Sequence, residues 1–423
     1  MNKTLTTWLA SLADTATPCF QECCEYLGAE LTWLHRLAAT LQDPQWHGEG
    51  NVSIHTDWVL AELYTLLAGE AAHIQGQPRQ ALILGTLLHD IGKPQRTGKA
   101  DINGVERIVS PQHEAVGRSY LATRLMGLGL PFAVVWQVLN LVGEHHMPKS
   151  LVVKDRPAAD FWRVSRQVNL ELLYWLEVAD MRGRICSDLD MQLLYLEEFR
   201  ALSARYGVWQ QALEVKTTLA AHLQPLPAHV QAYVYAHALY QLEQGQITQA
   251  EEALATTYAH RQQHAHLVIL CGPSGSGKTT WLQQHFPDYV LISLDALREQ
   301  FNKARANQDN SGQIRQYAKE QLKAALRQKQ GVVWDATNLR TDFRQPLTDL
   351  GRDYHALVTL VAFLLPEKQL RQQNRQREHS VAEVVLDRQL ESWQFPLPNE
   401  AHQYWLVGAH GHTLYRSGFY AND

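Results

Sequence analysis

Two groups of residues in this 423-residue chain have the types and spacing of reaction centres. The first is scattered: His55 in "NVSIHTDW", His89 and Asp90 in "TLLHDIGKP", His113 in "SPQHEAVG", His145 and His146 in "VGEHHMP", and Asp180 in "LEVADMRGR". Adjacent side chains on a helix diverge by about 100°. His89 and Asp90 can therefore bracket a cation but not complete its shell, and the remaining ligands must come from the other segments. Imidazole and carboxylate donors suit Mn, Fe, Co, Ni or Zn. The set His55, His89, Asp90, His113, His145 and Asp180 could hold one or two such ions. Two ions about 3.5–4 Å apart can activate water and steady both oxygens of a phosphoester displacement. Taken singly these residues have plainer readings: Asp180 could pair with Arg182 or Arg184, and either of His145 and His146 could be the ligand.

The second group is compact. "GPSGSGKTT" fits the phosphate-cradling pattern G-x-x-x-x-G-K-[ST]. In it Gly272, Ser274, Gly275, Ser276 and Gly277 turn backbone N–H groups toward phosphate. Lys278 reaches the β- and γ-phosphates, Thr279 holds Mg²⁺, and Thr280 follows on the helix whose N-terminus favours anions. ATP, or another nucleoside triphosphate, with Mg²⁺ is the implied ligand. Further on, "LISLDALREQ" places Asp295 just past a strand and Arg298 three residues later, on one helical face. The carboxylate could take a proton from an attacking hydroxyl, or merely cap the helix. The guanidinium could grip a phosphate bidentately. Asp335 in "VVWDATN" could orient Mg²⁺ or water, or make a turn. Arg371, Arg375 and Arg377 in "LRQQNRQREHS" read as a solvated helix face or, after a nucleotide core, as a closing lid.

The elements that must position these groups differ between the two parts of the chain. Up to about residue 262 the apolar spacing is helical almost throughout, as in "TDWVLAELYTLLAGEAAHI" and "PFAVVWQVLNLVGEHH". Residues 190–262 read as a helical appendix to this part. From "HLVILCG" onward, β-type runs ("YVLISLD", "GVVWDATN", "HALVTLVAFLL") alternate with helices, which predicts a parallel α/β sheet. The expected domains are an all-α unit over 1–262 and an α/β unit over 263–423, with the boundary in the polar stretch 258–266. The net charge of −5 excludes a globally basic nucleic-acid binder; residues 266–423 carry +2 and the first 265 carry −7. A polyanion must then be held by local cations or metals. Five cysteines without paired metal spacing suggest a reducing compartment. No signal peptide or long apolar run is visible, so a cytoplasmic protein is expected.

The ordered series His55, His89–Asp90, His113, His145, Asp180 resembles the HD phosphohydrolase superfamily. The stretch "GNVSIHTDWVL…LLHDIGKP…QHEAVGRSYLATRL" is similar to the HD domains appended to bacterial tRNA CCA-adding enzymes. The resemblance covers about residues 45–190 and implies an all-helical fold with a metal site. Residues 266–395 resemble the P-loop 5′-OH polynucleotide kinases. That likeness implies Asp295 as general base, Arg298 on the phosphate beside the accepting 5′-OH, and lid arginines best matched by Arg375 and Arg377. Gln373 stands where the family's first lid Arg would be, and Ala382 where it has Pro. The combination resembles the bacterial HD-Pnk end-healing enzymes. It implies an HD domain that removes a 3′-phosphate or 2′,3′-cyclic phosphate and a kinase that phosphorylates a 5′-OH. The expected partners are DNA or RNA termini and a ligase acting downstream, with no membrane. Two alternatives stay open on the residues alone: a nucleotide-signalling HD hydrolase regulated by an ATPase, and a small-metabolite kinase.

Overall fold

The computed structural model describes residues 4–302 and 310–420. It divides into two compact units, Met1–Leu213 and Glu214–Asp423. The first is helical. The helices that frame its centre are α1 (Val52–Ala68), α2 (Gly76–Leu88), α3 (His113–Leu125), α4 (Phe132–Glu144) and α5 (Leu170–Arg182). Leu60, Leu63, Leu84, Leu87, Leu121, Val138, Leu141 and Leu176 are buried among them. Two of these helices start on asparagine caps. Asn51 accepts from the N–H groups of Ser53 and Ile54 at 3.0 and 3.1 Å, and Asn169 from Leu172 N–H at 3.1 Å.

One element departs from the all-helical expectation. Strands β1 (Gly98–Ile102) and β2 (Val105–Val109) form an antiparallel hairpin after the His89–Asp90 loop. Its turn is Asn103–Gly104, with φ of 55° and 81°, the dipeptide most suited to a tight hairpin.

The second unit is an α/β sheet of order β4-β5-β3-β6-β7-β8. It comprises β3 (His266–Cys271), β4 (Val290–Ser293), β5 (Gly331–Asp335), β6 (Leu357–Phe363), β7 (Gln403–Val407) and β8 (Thr413–Ser417). All neighbours run parallel except β7–β8. The four strands expected from composition are present, and β7 and β8 extend the sheet beyond them. Because β3 lies between β5 and β6, chain connections leave it on both sides. The carboxyl ends of these strands therefore open the crevice in which α/β sheets bind ligands.

The compact units part at Leu213/Glu214, not near residues 258–266. The reason is the packing of helix α6 (Ala228–Glu243). Its Tyr233 and Ala236 pack on Leu357 of β6, and the Tyr233 hydroxyl donates to His355 O at 2.9 Å. The His237 ring stacks on His402 at 4.0 Å. Helical composition up to residue 262 marks secondary structure there, whereas the partner that buries the helix is the sheet.

No described helix is long and apolar enough to cross a membrane. The five cysteines are free thiols.

Burial holds His237 and His264 at about 4 and His402 well below the usual imidazole range. Val358 N–H donates to His402 Nδ1 at 3.1 Å, a bond that protonation there would break. Imidazoles in an unfolded chain titrate near 6.5, so below that pH the unfolded state binds more protons than the folded one. The stability from neutral burial is complete above about pH 6.5 and is lost as pH falls toward 4. At pH 5.5 each such imidazole costs about 1 kcal/mol. The urea midpoint of the full chain should fall between pH 7.5 and 5.5, and fall less in His237→Phe. An identical fall in that variant would place the sensitivity elsewhere.

Candidate active sites

In the first unit, the sequence-predicted ligands converge on Asp90. Its two oxygens face different groups. Oδ2 lies 3.2 Å from His89 Nε2 and 3.9 Å from His55 Nε2, and Oδ1 lies 3.0 Å from His113 Nε2. On the Oδ2 side, Asp180 Oδ1 is 2.9 Å from His55 Nε2 and 3.7 Å from His89 Nε2. On the Oδ1 side, His113 Nε2 is 3.2 Å from His145 Nε2 and 3.4 Å from His146 Nε2. Donor atoms of His55, His89 and Asp180 lie within 4.8 Å of one another, as do those of His113, His145 and His146. Both histidines of the 145–146 pair thus face the centre.

Backbone geometry aims these rings. His89, His113 and His145 each place Nδ1 2.7 Å from the carbonyl three residues earlier, those of Thr86, Ser110 and Val142. A carbonyl only accepts, so Nδ1 of each ring carries a hydrogen and Nε2 is the atom turned inward; Asp90 and Asp180 raise the pKa of His89 against the effect of its burial. His113 and His145 bring their Nε2 atoms to 3.2 Å of each other. His89 Nε2 and Asp90 Oδ2 are buried without an aligned hydrogen bond. Such a set of imidazole and carboxylate donors fits a divalent transition-metal site. Gly92 lets the loop close over it: a Cβ there would lie 2.0 Å from His113 O.

The electrostatics match. Burial alone would raise both carboxyl pKa values, but His89 and Lys93 hold Asp90, and Arg184 and His55 hold Asp180, well below the usual range. Burial and neighbouring imidazoles keep His145 and His146 far below theirs, so both remain neutral ligands.

Several residues here were not singled out from the sequence. Glu49 Oε1 lies 2.8 Å from His47 Nδ1 and 2.9 Å from His55 Nδ1, and Oε2 accepts from Ile185 N–H at 3.0 Å. It fixes the ring of His55 from behind. Lys93 Nζ sits 2.8 Å from Asp90 Oδ2 and donates to Gln42 Oε1 at 2.7 Å. Arg184, unlike these, was one of the two partners the sequence offered Asp180, and it does pair with it. Glu177, one turn before Asp180, is fully buried and raised by that burial to about 7, with Lys149 3.4 Å away. Lys93 was visible in "HDIGKP"; Glu49, set in a loop with no periodic context, left no comparable signal.

In the second unit, the loop Gly272–Gly277 joins β3 to α7 (Lys278–His285). Lys278 Nζ donates to Gly272 O at 2.8 Å and Pro273 O at 2.9 Å, folding back over the loop. Gly272 N–H is tied to Thr337 O at 2.9 Å, while Ser276 is buried and Thr279 and Thr280 stand exposed on the first turn of α7. The Ser274 amide donates to Gln389 Oε1 at 2.8 Å. Asp335 ends β5 and pairs in register with Ser293 of β4. Burial raises its carboxyl, opposed by Lys278.

Asp295 lies in the first turn of helix α8 (Leu294–Asn302), directly after β4, and its side chain pairs with Arg298. The Asp295 side chain is 57% exposed and acts electrostatically on both Lys278 and Asp335.

After the helix α9 (Thr341–Asp353) come α10 (Glu367–Gln376) and α11 (Glu383–Glu391), which carry the lid candidates. Gly275, at φ 83°, is the point where the lid touches the loop, since a Cβ there would meet Asn374 N at 2.9 Å. Arg371 is committed to Glu367, Glu383 and Asp387, and Arg375 to Glu383. Arg377 instead acts on Lys278 and Asp335. The buried Asn374 pins the lid loop, donating to Val381 O at 2.8 Å and accepting from Val381 N–H at 3.1 Å.

Glu49→Ala should weaken metal binding in the first unit about 10- to 100-fold by freeing the His55 ring, read by competition with a chromogenic chelator. In the second unit, Arg377→Ala should reduce phosphoryl transfer at least tenfold and Arg375→Ala by less than threefold, measured by ATP consumption with acceptor. The reverse order would reassign the lid.

Residues 60–174 match the HD domain family, and residues 267–396 match the AAA domain family. No curated protein matched the chain. His55 and Asp180 fall outside the first matched span, on helices that it clips. The chain joins a helical HD domain to an α/β P-loop, kinase-like domain, an arrangement of a hydrolase with a kinase.

Proposed function

We propose that the chain is a nucleic-acid end-healing enzyme: the HD centre removes a 3′-phosphate or opens a 2′,3′-cyclic phosphate, and the kinase centre phosphorylates a 5′-OH. The observation that carries this reading is the open Asp295–Arg298 pair beside the P-loop, in a chain that also holds a buried histidine–carboxylate centre. An exposed base accommodates an acceptor hydroxyl at the end of a long polymer. A guanidinium beside that base suits an acceptor that carries its own phosphate.

In the kinase reaction the acceptor hydroxyl gives its proton to Asp295 as its oxygen bonds to the γ-phosphorus. The bond to the β–γ bridging oxygen breaks, and the nucleoside diphosphate leaves. Lys278 and Arg377 balance charge on the phosphates, and Arg298 leaves Asp295 to take the acceptor's own phosphate. Thr279 and Asp335 would hold the Mg²⁺ of the nucleotide. In the HD centre, divalent ions held by His55, His89, Asp90, Asp180, His113, His145 and His146 would supply Lewis acidity and an activated water. Lys93, beside Asp90, meets a phosphate oxygen of the substrate.

Transfer of label from γ-labelled ATP to a 5′-OH oligonucleotide, against a panel of small hydroxylated metabolites, tests the reading; labelling of metabolites alone overturns it. Asp295→Ala should abolish kinase activity and spare phosphate release from a 3′-phosphorylated end. Asp90→Ala should do the reverse, and a mixture of both variants should heal both ends. Arg298→Ala should lower the polynucleotide reaction about ten- to a hundredfold, the loss expected for one charge-assisted contact, with ATP affinity unchanged. Lys278→Ala should leave HD activity intact; a large change there would favour an ATP-regulated HD hydrolase.

A further inference from the structure

The kinase unit carries a group of exposed aromatic rings outside its buried core. Phe301 is 52% exposed, Tyr317 44% and Phe343 43%. Single exposed apolar side chains are ordinary, but these three are gathered. The Phe301 and Tyr317 rings meet edge to face at 5.2 Å. The guanidiniums of Arg315 and Arg340 lie 5.5 and 5.4 Å from the centre of the Phe343 ring, within cation–π reach. Arg315 and Tyr317 belong to one helix, Ser311–Arg327, which joins the two groups.

Chain connections place these rings at the carboxyl edge of the sheet, on the side of Asp295. Ser293 of β4 and Asp335 of β5 are register partners, and α8 begins at the residue after Ser293. Phe301 stands three residues past Arg298 on α8, and residues three apart share a helical face. The chain after Asp335 stays against the phosphate loop. Thr337 O accepts from Gly272 N–H at 2.9 Å, and Asn338 Nδ2 donates to Leu270 O at 2.7 Å. Helix α9 starts at Thr341, so Phe343 lies in its first turn. The local charge is positive: the helix Ser311–Arg327 carries Arg315, Lys319, Lys323 and Arg327 against Glu320 alone. Arg340 pairs with Asp342. Arg315 donates to Ser311 O of its own helix at 3.2 Å, and no carboxylate among the described residues pairs with it.

We propose that Phe301, Tyr317 and Phe343 form a stacking platform for unpaired bases of the acceptor strand, beyond its 5′-terminal nucleotide. The inference rests on the end-healing reading of the kinase centre. In that reading Asp295 takes the 5′-OH of the terminal nucleotide and Arg298 its own phosphate. The strand continues past that phosphate, and Phe301 stands one turn past Arg298. An aromatic face takes any base, and Arg315 supplies an unneutralised charge for the backbone, so the platform holds a strand without selecting its sequence. Stacking on a side chain needs a base that is free of a partner strand. The acceptor is therefore a single-stranded 5′-OH end or overhang rather than a blunt duplex.

Tyr317 and Phe343 are exposed, so Tyr317→Ala and Phe343→Ala remove rings without opening the core. The full chain, these variants and Phe343→Trp are assayed for label transfer from γ-labelled ATP with Mg²⁺. The acceptors are a single-stranded 5′-OH oligonucleotide, the same strand with abasic second and third residues, and the same strand in a blunt duplex. Wild type should prefer the base-bearing single strand at least fivefold over the abasic strand and over the duplex. Each alanine variant should lose about five- to a hundredfold in kcat/KM on the base-bearing strand, the loss expected for one base–aromatic stack, mainly through the KM of the strand. Both should stay within twofold of wild type on the abasic strand and in KM for ATP, and Phe343→Trp should keep wild-type activity on the base-bearing strand. Equal losses on the base-bearing and abasic strands, no loss on either, or a wild type indifferent to the missing bases or to pairing would overturn the platform while leaving end-healing in place. Label on small hydroxylated metabolites and on no oligonucleotide would overturn the end-healing reading and the platform with it.

Discussion

A buried carboxylate with two histidine groups on its two sides dictates the form of the helical unit. Asp90 is 2% exposed and Asp180 is fully buried. Moving such charges out of water costs several kcal/mol each unless they are balanced and hydrogen-bonded. Lys93 and His89 balance Asp90, and Arg184 and His55 balance Asp180, while the carbonyls behind His89, His113 and His145 turn the Nε2 atoms of these rings toward the same centre. The remaining features follow. Gly92 is needed because the loop must approach His113 closely, and Asn51 and Asn169 fix where α1 and α5 begin and hence where His55 and Asp180 point.

The kinase centre obeys a different constraint. Its charged side chains sit at the carboxyl ends of parallel strands, partly open to solvent, and hold one another until a ligand arrives. Lys278 folds onto its own loop, Arg298 neutralises Asp295, and Arg371 and Arg375 are spent on tying α10 to α11. Triphosphate would compete for Lys278 and the loop amides, and the contact of Asn374 with Gly275 would transmit that change to the lid. Here binding energy has interactions to displace, whereas in the HD centre it fills positions already aimed.

The parts most legible in the sequence were those where one residue type admits few alternatives. The phosphate loop, the strands around it and the ordered histidines were of this kind, because glycine at positive φ and histidine at fixed spacing rarely serve other ends. The hairpin at 98–109 had a signal in Asn103–Gly104, but its strands are mostly exposed and short, so no apolar alternation marked them. The compact units part earlier than the change from helical to β-type sequence because helix α6 is helical by composition and packs on the sheet, and only tertiary structure tells the two apart. Glu49 acts through His55 from an irregular loop, and Arg377 differs from Arg375 only in which carboxylates lie nearby, so neither role can be read from spacing.

The two centres also make opposite electrostatic demands, which explains why one fold does not hold both. The HD centre gathers carboxylates and neutral imidazoles to hold cations, and it must be dry for those contacts to be strong. The P-loop centre gathers Lys278, backbone N–H groups and lid arginines suited to an anion, and it must open to admit its ligand. Two cores joined in one chain satisfy both demands. On the proposed reading they also match the chemistry of a broken strand, whose 3′ end carries a phosphate in excess and whose 5′ end lacks one.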